Sequence, residues 1–166
     1  MLVRDEMDGD RAAIAAVTTA AFDGHPYSSG TEAAIIDGLR RADALALSLV
    51  AEENGVVLGH IAFSRVSIGA DDRGEWYGLG PLSVRPDRQG GGIGTLLVRA
   101  GLERIQDHGA RGCVLVGDSG YYSRFGFEQC PRLSYDGVPP DYFLALWFDG
   151  PLPAGVVRFH SAFGEH

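Results

Sequence analysis

The feature that most constrains this chain is a run of glycines near its centre. Four of the five residues in Gly90-Gly91-Gly92-Ile93-Gly94 are glycine, and they lie between a strand pattern ending at Val84 and a helical pattern over 92–108. Glycine adopts positive φ angles without steric cost and lets a ligand approach the backbone. The first turn of a helix presents unpaired N–H groups and the positive end of the helix dipole. The pattern therefore predicts a phosphate-binding turn, to which Arg88 adds charge; the alternative is a loop built only for tight turning.

Two common nucleotide-binding loops do not fit this segment. The Walker pattern requires a lysine after the glycines, and the chain contains no lysine. A Rossmann fingerprint requires a third glycine or alanine where this chain has Leu97. The loop also lies in mid-chain, several polar residues beyond its strand, so neither pattern accounts for it.

Hydrophobic periodicity predicts alternating strands and helices in one domain, residues 1–166. The predicted strands lie near 2–6, 45–53, 56–66, 75–84, 110–117, 142–148 and 155–159, and the helices follow Asp8 or Asp10 and cover 30–42, 92–108 and 119–125. Asn54-Gly55 predicts a type I′ hairpin, 69–74 a polar loop, and Ser29 with Glu32 a helix capping box. This order predicts an α/β (α+β) fold with a mixed central β-sheet and helices on both faces.

Charge and hydropathy exclude several classes of protein. The 14 Lys and Arg against 22 Asp and Glu give a formal charge of −8, which argues against a nucleic-acid partner. No stretch of 18 consecutive apolar residues is present, so we expect no membrane partner. The segment 1–6 lacks the apolar stretch of a secretory signal, and we therefore expect a cytoplasmic protein.

The two cysteines do not predict a metal site. Cys113 and Cys130 are 17 residues apart and form no CxxC pair. A zinc site needs about four ligands at close spacing, and a disulfide framework needs more cysteines in a secreted chain. We expect no metal, and we expect Cys113, in the apolar run 112–116, to be buried in the core.

Three segments together resemble a known family. Gln89-Gly-Gly-Gly-Ile-Gly94 resembles the [Q/R]-x-x-G-x-[G/A] pyrophosphate loop of the GNAT-type N-acetyltransferases. The preceding run Leu82-Ser-Val-Arg-Pro-Asp-Arg-Gln89 is similar to the family's L-x-V-x-P-x-x-Q, and Tyr121-Tyr-Ser-Arg-Phe-Gly-Phe127 to its Y-x-x-x-G-F. Segments 117–127 and 156–163 resemble an uncharacterised bacterial branch of this superfamily. The predicted order of elements agrees with the family over nearly the whole chain.

The resemblance implies acetyl-CoA as co-substrate and a sheet that splays between its fourth and fifth strands. The arm of the cofactor would pair with the exposed strand backbone in that gap, and the backbone N–H of Leu82 or Val84 would bind the thioester carbonyl. Pro81, which has no N–H, fits a strand that bends or loses its partner there. The cofactor-binding residues implied are Leu82, Ser83, Val84, Gln89, Gly90, Gly91, Gly92, Ile93, Gly94, Thr95 and Ser119.

The same resemblance implies a catalytic tyrosine. Tyr122 corresponds to the family tyrosine four residues before the glycine of the GF pair, and it would act as general acid toward the leaving thiolate. Tyr121 is the alternative for this role. Many members carry an asparagine well before this tyrosine; here Asp118-Ser119 occupies that region, and Ser119 would bind the cofactor or cap the helix.

The general base and the acceptor are less determined by the sequence. Candidates for the base are Glu75, His60, Asp118, Glu32 or a water molecule. An aromatic acceptor pocket would draw on loop 23–30, the strand meander and 131–143, which supply Phe22, His25, Tyr27, Trp76, Tyr135 and Tyr142.

Two functional hypotheses follow. The first is an enzyme that transfers acetyl from acetyl-CoA to a primary amine, on a small amine or peptide acceptor, by direct attack in a ternary complex. The second is a non-catalytic acyl-CoA-binding sensor with the same fold. The sequence leaves open whether the chain forms a homodimer.

Overall fold

The elements follow one another in nearly the predicted order. The computed structural model describes residues 1–26, 28 and 30–164, and the side chains of these residues except 71–74. The strands are β1 Leu2–Asp5, β2 Leu47–Glu53, β3 Val56–Ile68, β4 Asp71–Val84, β5 Gly112–Val116, β6 Glu128–Gln129, β7 Leu133–Ser134, β8 Phe143–Trp147 and β9 Gly155–Arg158. The helices are α1 Arg11–Phe22, α2 Glu32–Arg41, α3 Ile93–Asp107 and α4 Ser119–Tyr122.

The sheet is mixed, as predicted. Its order is β1-β2-β3-β4-β5-β8-β6, with β9 paired to the end of β3 and β7 paired to β9. The first four strands form an antiparallel meander, β4 and β5 are parallel, and β5, β8 and β6 are antiparallel. Asn54 and Gly55 have φ angles of 52° and 78°. Positive φ at both positions is the type I′ geometry, which confirms the predicted hairpin.

Local differences from the prediction occur at three places. Strand β4 begins at Asp71 rather than near Glu75, so the predicted polar loop 69–74 is mostly strand. The short strands β6 and β7 were not predicted, because two residues carry too little periodicity. Helix α2 has Thr31 as its N-cap; Ser29, predicted as the cap, lies outside the described residues.

Helices cover both faces of the central strand β3. On one face, Phe63 packs with the apolar stripe of α3, where Gly101 provides the space that the Phe63 ring occupies. On the other face, Ala62 packs with Ile14 of α1 and Ile36 of α2. Strand β3 therefore reads as a nearly continuous buried run, because neither face meets solvent.

The sheet opens between β4 and β5. Their pairing ends at Gly78 and Val114, after which β4 continues for six more residues to Val84 and β5 for two to Val116. Against β3, the register also shifts: Ile61 lies opposite Leu82 while Phe63 lies opposite Leu79, so β4 holds one extra residue, a β-bulge at Gly80-Pro81. This confirms the splay that the family resemblance implied, and it leaves 79–84 without a partner on the β5 side.

Candidate active site

A cleft of about 660 Å³ lies at the opening between β4 and β5, beside the N-terminus of α3. We call it the α3 cleft. It is lined by Ala21, Phe22, His25, Leu82, Val84, Arg88, Gln89, Gly90, Gly92, Ile93, Gly94, Thr95, Tyr121, Tyr122 and Arg124. The structure thus brings most of the predicted cofactor-binding residues together in one place. Ser83, Gly91 and Ser119 are the predicted residues that do not line it.

The glycine loop shapes one wall of the α3 cleft. Gly90 and Gly92 have φ angles of 82° and 90°, a region in which other residues are strained, and Gly92 caps α3 in the left-handed conformation. A Cβ at Gly94 would lie 3.0 Å from the Tyr121 hydroxyl, closer than ordinary van der Waals contact, so glycine avoids crowding between α3 and Tyr121. The Gln89 side chain donates a hydrogen bond to the carbonyl oxygen of Val84 at 3.0 Å and ties the loop to β4.

That bond also indicates which way the β4 backbone points. The N–H and C=O of one strand residue face the same edge, and successive residues alternate. The Arg85 N–H bonds the Leu58 carbonyl on the β3 side, whereas the Val84 carbonyl bonds Gln89. The polar backbone groups of Val84, and by alternation those of Leu82, therefore face the opening.

The predicted residues outside the α3 cleft have other surroundings. The Ser83 side chain is buried on the opposite face of the sheet, where its hydroxyl donates to Thr18 Oγ1 at 3.3 Å. By the alternation described above, the backbone N–H and C=O of Ser83 face β3, so neither its hydroxyl nor its polar backbone groups point into the α3 cleft. Gly91 is exposed near the Arg88 carbonyl. The carboxylate of Asp118, not the hydroxyl of Ser119, caps α4 by accepting the Gly120 N–H at 3.0 Å.

The two neighbouring tyrosines face different surroundings. Tyr122 packs into the core against Phe127, with ring centroids 6.0 Å apart, and burial raises the pKa of its phenol above the ordinary value. Tyr121 stands edge-on to it at 4.9 Å and places its hydroxyl 3.3 Å from Thr95 Oγ1 in the first turn of α3. Tyr122 is thus the deeper phenol and stays protonated at neutral pH, and Tyr121 lies at the helix terminus.

All four candidate bases named from the sequence lie outside the α3 cleft and have partners elsewhere. The Glu75 carboxylate pairs with Arg111 at 2.5 Å, and Asp118 caps α4. Glu32 accepts a hydrogen bond from the Ser28 hydroxyl at 2.7 Å. His60 is fully buried on β3, and burial lowers its pKa to about 4.

Of the aromatic residues predicted for an acceptor pocket, two line the α3 cleft. These are Phe22, at the end of α1, and His25, just after it. Trp76 is buried against Gly112, and Tyr135 packs between Phe143 and Phe159 beside a second cavity of about 340 Å³. Tyr142 is exposed, and Tyr27 lies outside the described residues. The structure does not gather these aromatics into one pocket.

Charge around the α3 cleft is distributed unevenly. Arg88, expected to supply charge, pairs with Glu53 at 2.8 Å. Arg124, for which the sequence predicted no role, lies over the Tyr121 ring, with its guanidinium carbon 4.4 Å from the centroid. The sequence feature that could have indicated a role for Arg124 is its position between two residues of the family motif, Tyr122 and Gly126.

Comparison with known proteins agrees with this geometry. Residues 13–127 match the sequence profile of the Acetyltransferase (GNAT) family. The chain belongs to the GNAT family of N-acetyltransferases. The glycine loop and both tyrosines fall within the matched segment, so the motifs that carried the resemblance belong to the family's own region.

Similar proteins align with nearly the whole chain. A GNAT family acetyltransferase from Brucella melitensis, solved in complex with acetyl-CoA, is 52% identical with a TM-score of 0.87, covering 98% of this chain and 97% of that one. The Escherichia coli K12 protein named uncharacterized N-acetyltransferase YhbS is 37% identical over 99% of each chain. The structure of Escherichia coli YhbS in complex with CoA superposes with a TM-score of 0.88 over 99% of this chain and 92% of that one. These similarities confirm the predicted fold.

The described residues contain neither a candidate metal cluster nor a helix suited to span a membrane. No group of three or more His, Cys, Asp or Glu residues among them is arranged to hold a metal ion. Within the same part of the chain, every helix is too short or too polar to cross a membrane.

Proposed function

We propose that this GNAT enzyme transfers acetyl from acetyl-CoA to a primary amine by direct attack in a ternary complex. The observation that carries the proposal is the meeting of two features in the α3 cleft. The first turn of α3 offers unpaired N–H groups for phosphates, and the adjoining β4 edge, 79–84, has no strand partner on the β5 side and can take up an extended amide-containing arm. A thioester with a pantetheine arm and a pyrophosphate fits both features together.

The backbone of β4 would stabilise the charge that develops on the thioester carbonyl. The N–H groups of Leu82 and Val84 face the opening, as inferred from the bond between Val84 and Gln89. A fixed backbone donor is worth more there than in water, because it costs no reorganisation when the charge appears. The side chains of Leu82 and Val84 pack toward α3 and need contribute only shape.

Tyr122 would supply the proton for the leaving group. The acceptor nitrogen forms the new C–N bond as the C–S bond breaks, and the phenol of Tyr122 donates its proton to the sulfur and regains one from solvent. The phenol is protonated at neutral pH, which is the form a general acid needs, and burial raises its pKa further above the ordinary value. The proton lost by the amine would go to water or to His25, the imidazole that lines the α3 cleft.

The acceptor is a small amine or a peptide in this proposal, and the net charge of −8 favours a cationic one by electrostatic steering. A screen of amines for release of the CoA thiol from acetyl-CoA tests the function directly. Release with at least one amine, dependent on the enzyme concentration, supports the enzyme. Tight acetyl-CoA binding without release from any amine supports the sensor instead. The homodimer and the cytoplasmic location stay predictions.

A further inference from the structure

Arg124 is the one cleft-lining arginine whose charge has no carboxylate partner among the described side chains. Arg88, the other arginine in the lining, pairs with Glu53 at 2.8 Å. Arg85, next to the loop, pairs with Asp87 at 2.6 Å. Unpaired positive charge at the α3 cleft is therefore concentrated on Arg124.

Arg124 is also held in place. Its Nε donates to the Tyr121 carbonyl oxygen at 2.8 Å, and its guanidinium carbon lies 4.4 Å from the Tyr121 ring centroid. An arginine stacked on a ring loses less side-chain freedom on forming further bonds. With Nε engaged, the two terminal nitrogens remain for a ligand.

The Tyr121 ring extends this arrangement to the N-terminus of α3. Its hydroxyl lies 3.3 Å from Thr95 Oγ1, beside Gly94. The helix N–H groups, the Tyr121 hydroxyl and the Arg124 guanidinium thus line one cleft. Guanidinium groups bind phosphate oxygens by paired, charge-assisted hydrogen bonds.

We propose that Arg124 contacts a phosphate of acetyl-CoA across the α3 cleft, and that Tyr121 is the residue that positions it. This inference rests on the proposed use of acetyl-CoA. It separates the roles of the two tyrosines: Tyr122 serves the chemistry at sulfur, and Tyr121 serves cofactor recognition.

The test compares two thioesters by calorimetric titration. Arg124→Gln removes the charge, and losing a hydrogen bond to a charged group should weaken acetyl-CoA binding roughly tenfold or more. The dependence of the dissociation constant on KCl should become shallower, because one screened charge pair is gone. Arg124→Lys should restore part of the affinity and the steeper salt dependence.

Acetyl-dephospho-CoA, which lacks the 3′-phosphate, identifies the phosphate concerned. Equal weakening for both thioesters assigns the contact to the pyrophosphate, and weakening for acetyl-CoA alone assigns it to the 3′-phosphate. Unchanged affinity in Arg124→Gln, or weaker binding with an unchanged salt dependence, overturns the proposal.

Two controls complete the experiment. Arg41→Gln makes the same charge change on α2, outside the α3 cleft, and should leave both titrations as in the unsubstituted enzyme. Tyr121→Phe keeps the stacking ring and should weaken binding less than Arg124→Gln does. If the unsubstituted enzyme itself fails to bind acetyl-CoA, the proposed function fails; if it binds and Arg124→Gln binds equally, this inference alone fails.

Discussion

The buried histidine predicts a specific dependence of stability on pH. His60 is fully buried, and its Nε2 lies 2.7 Å from Ser48 Oγ. The Ser48 hydroxyl donates to Glu6 at 2.7 Å, so Nε2 of His60 is the donor to Ser48. The Glu6 carboxylate in turn accepts two hydrogen bonds from Arg40. The other ring nitrogen, Nδ1, is buried without a hydrogen-bond partner among the residues described.

The sign and size of the effect follow from burial. Burial lowers the pKa of His60 from 6.5 to about 4, while Glu6 and Asp10 act to raise it and Arg40 to lower it. The unfolded chain therefore binds a proton below pH 6.5 that the folded chain does not bind until about pH 4. His60 therefore has little effect on the free energy of unfolding above about pH 6.5, and it lowers that free energy as the pH falls from 6.5 to about 4. The linkage between proton binding and folding gives a decrease in the free energy of unfolding of about 2.5 kcal/mol between pH 7.5 and 4.5.

Urea unfolding of the unsubstituted chain and of His60→Gln across this range measures the effect. Glutamine can still bond Ser48 and has no titration, so the difference in unfolding free energy between the two proteins should change by about 2.5 kcal/mol. Glu6 and Asp10, whose pKa values are lowered, titrate in both proteins and largely cancel. Parallel stability curves would refute the reasoning. An NMR titration of the His60 ring, which should be neutral at pH 5, gives an independent check that needs no substitution.

Three further predictions concern the cleft and the core. Acetyl-CoA should raise the melting temperature, and Gly94→Val should abolish this rise, because a side chain would intrude between α3 and Tyr121. An unchanged rise in a folded variant would contradict the assignment of the glycine loop to pyrophosphate binding. Tyr122→Phe should lower turnover roughly 10²–10⁴-fold with little change in acetyl-CoA affinity. The control variant Tyr121→Phe should lower turnover much less. Wild-type turnover in Tyr122→Phe would show that the Tyr122 phenol serves only packing. Gly101→Ala should destabilise the fold by about 1–3 kcal/mol in thermal unfolding, because the added methyl group overlaps the Phe63 ring. An unchanged melting temperature would show that the Phe63 ring moves aside without cost.

Local patterns in the sequence determined much of the fold. The glycine run predicted the loop that opens α3 because positive φ and close approach are properties of the residues themselves. Asn54-Gly55 predicted its hairpin for the same reason. The splay between β4 and β5 came from the family resemblance, since nothing in the alternation of 75–84 indicates where its pairing with another strand ends.

The parts that could not be predicted depend on contacts distant in sequence. Ser83 turns away from the cleft to meet Thr18, 65 residues earlier in the chain. Glu75 is a plausible base in the sequence and an ion-pair partner of Arg111 in the structure. The sequence does not distinguish Arg124 from Arg88, whereas the structure pairs Arg88 with Glu53 and places no carboxylate partner beside Arg124 among the described side chains.

The placement of the polar groups bears on how this enzyme works. The His60, Ser48 and Glu6 chain lies on the sheet face covered by α1 and α2, away from the α3 cleft. In the α3 cleft itself, the groups proposed to act on the thioester are the backbone amides of Leu82 and Val84 and the phenol of Tyr122. None of these groups removes a proton from an amine, so that step is left to water or to His25. Rate would therefore depend chiefly on alignment and on stabilisation of the developing charge. An acceptor that arrives already as the free amine should then react faster, in proportion to its neutral fraction, as the pH rises toward the pKa of its ammonium form.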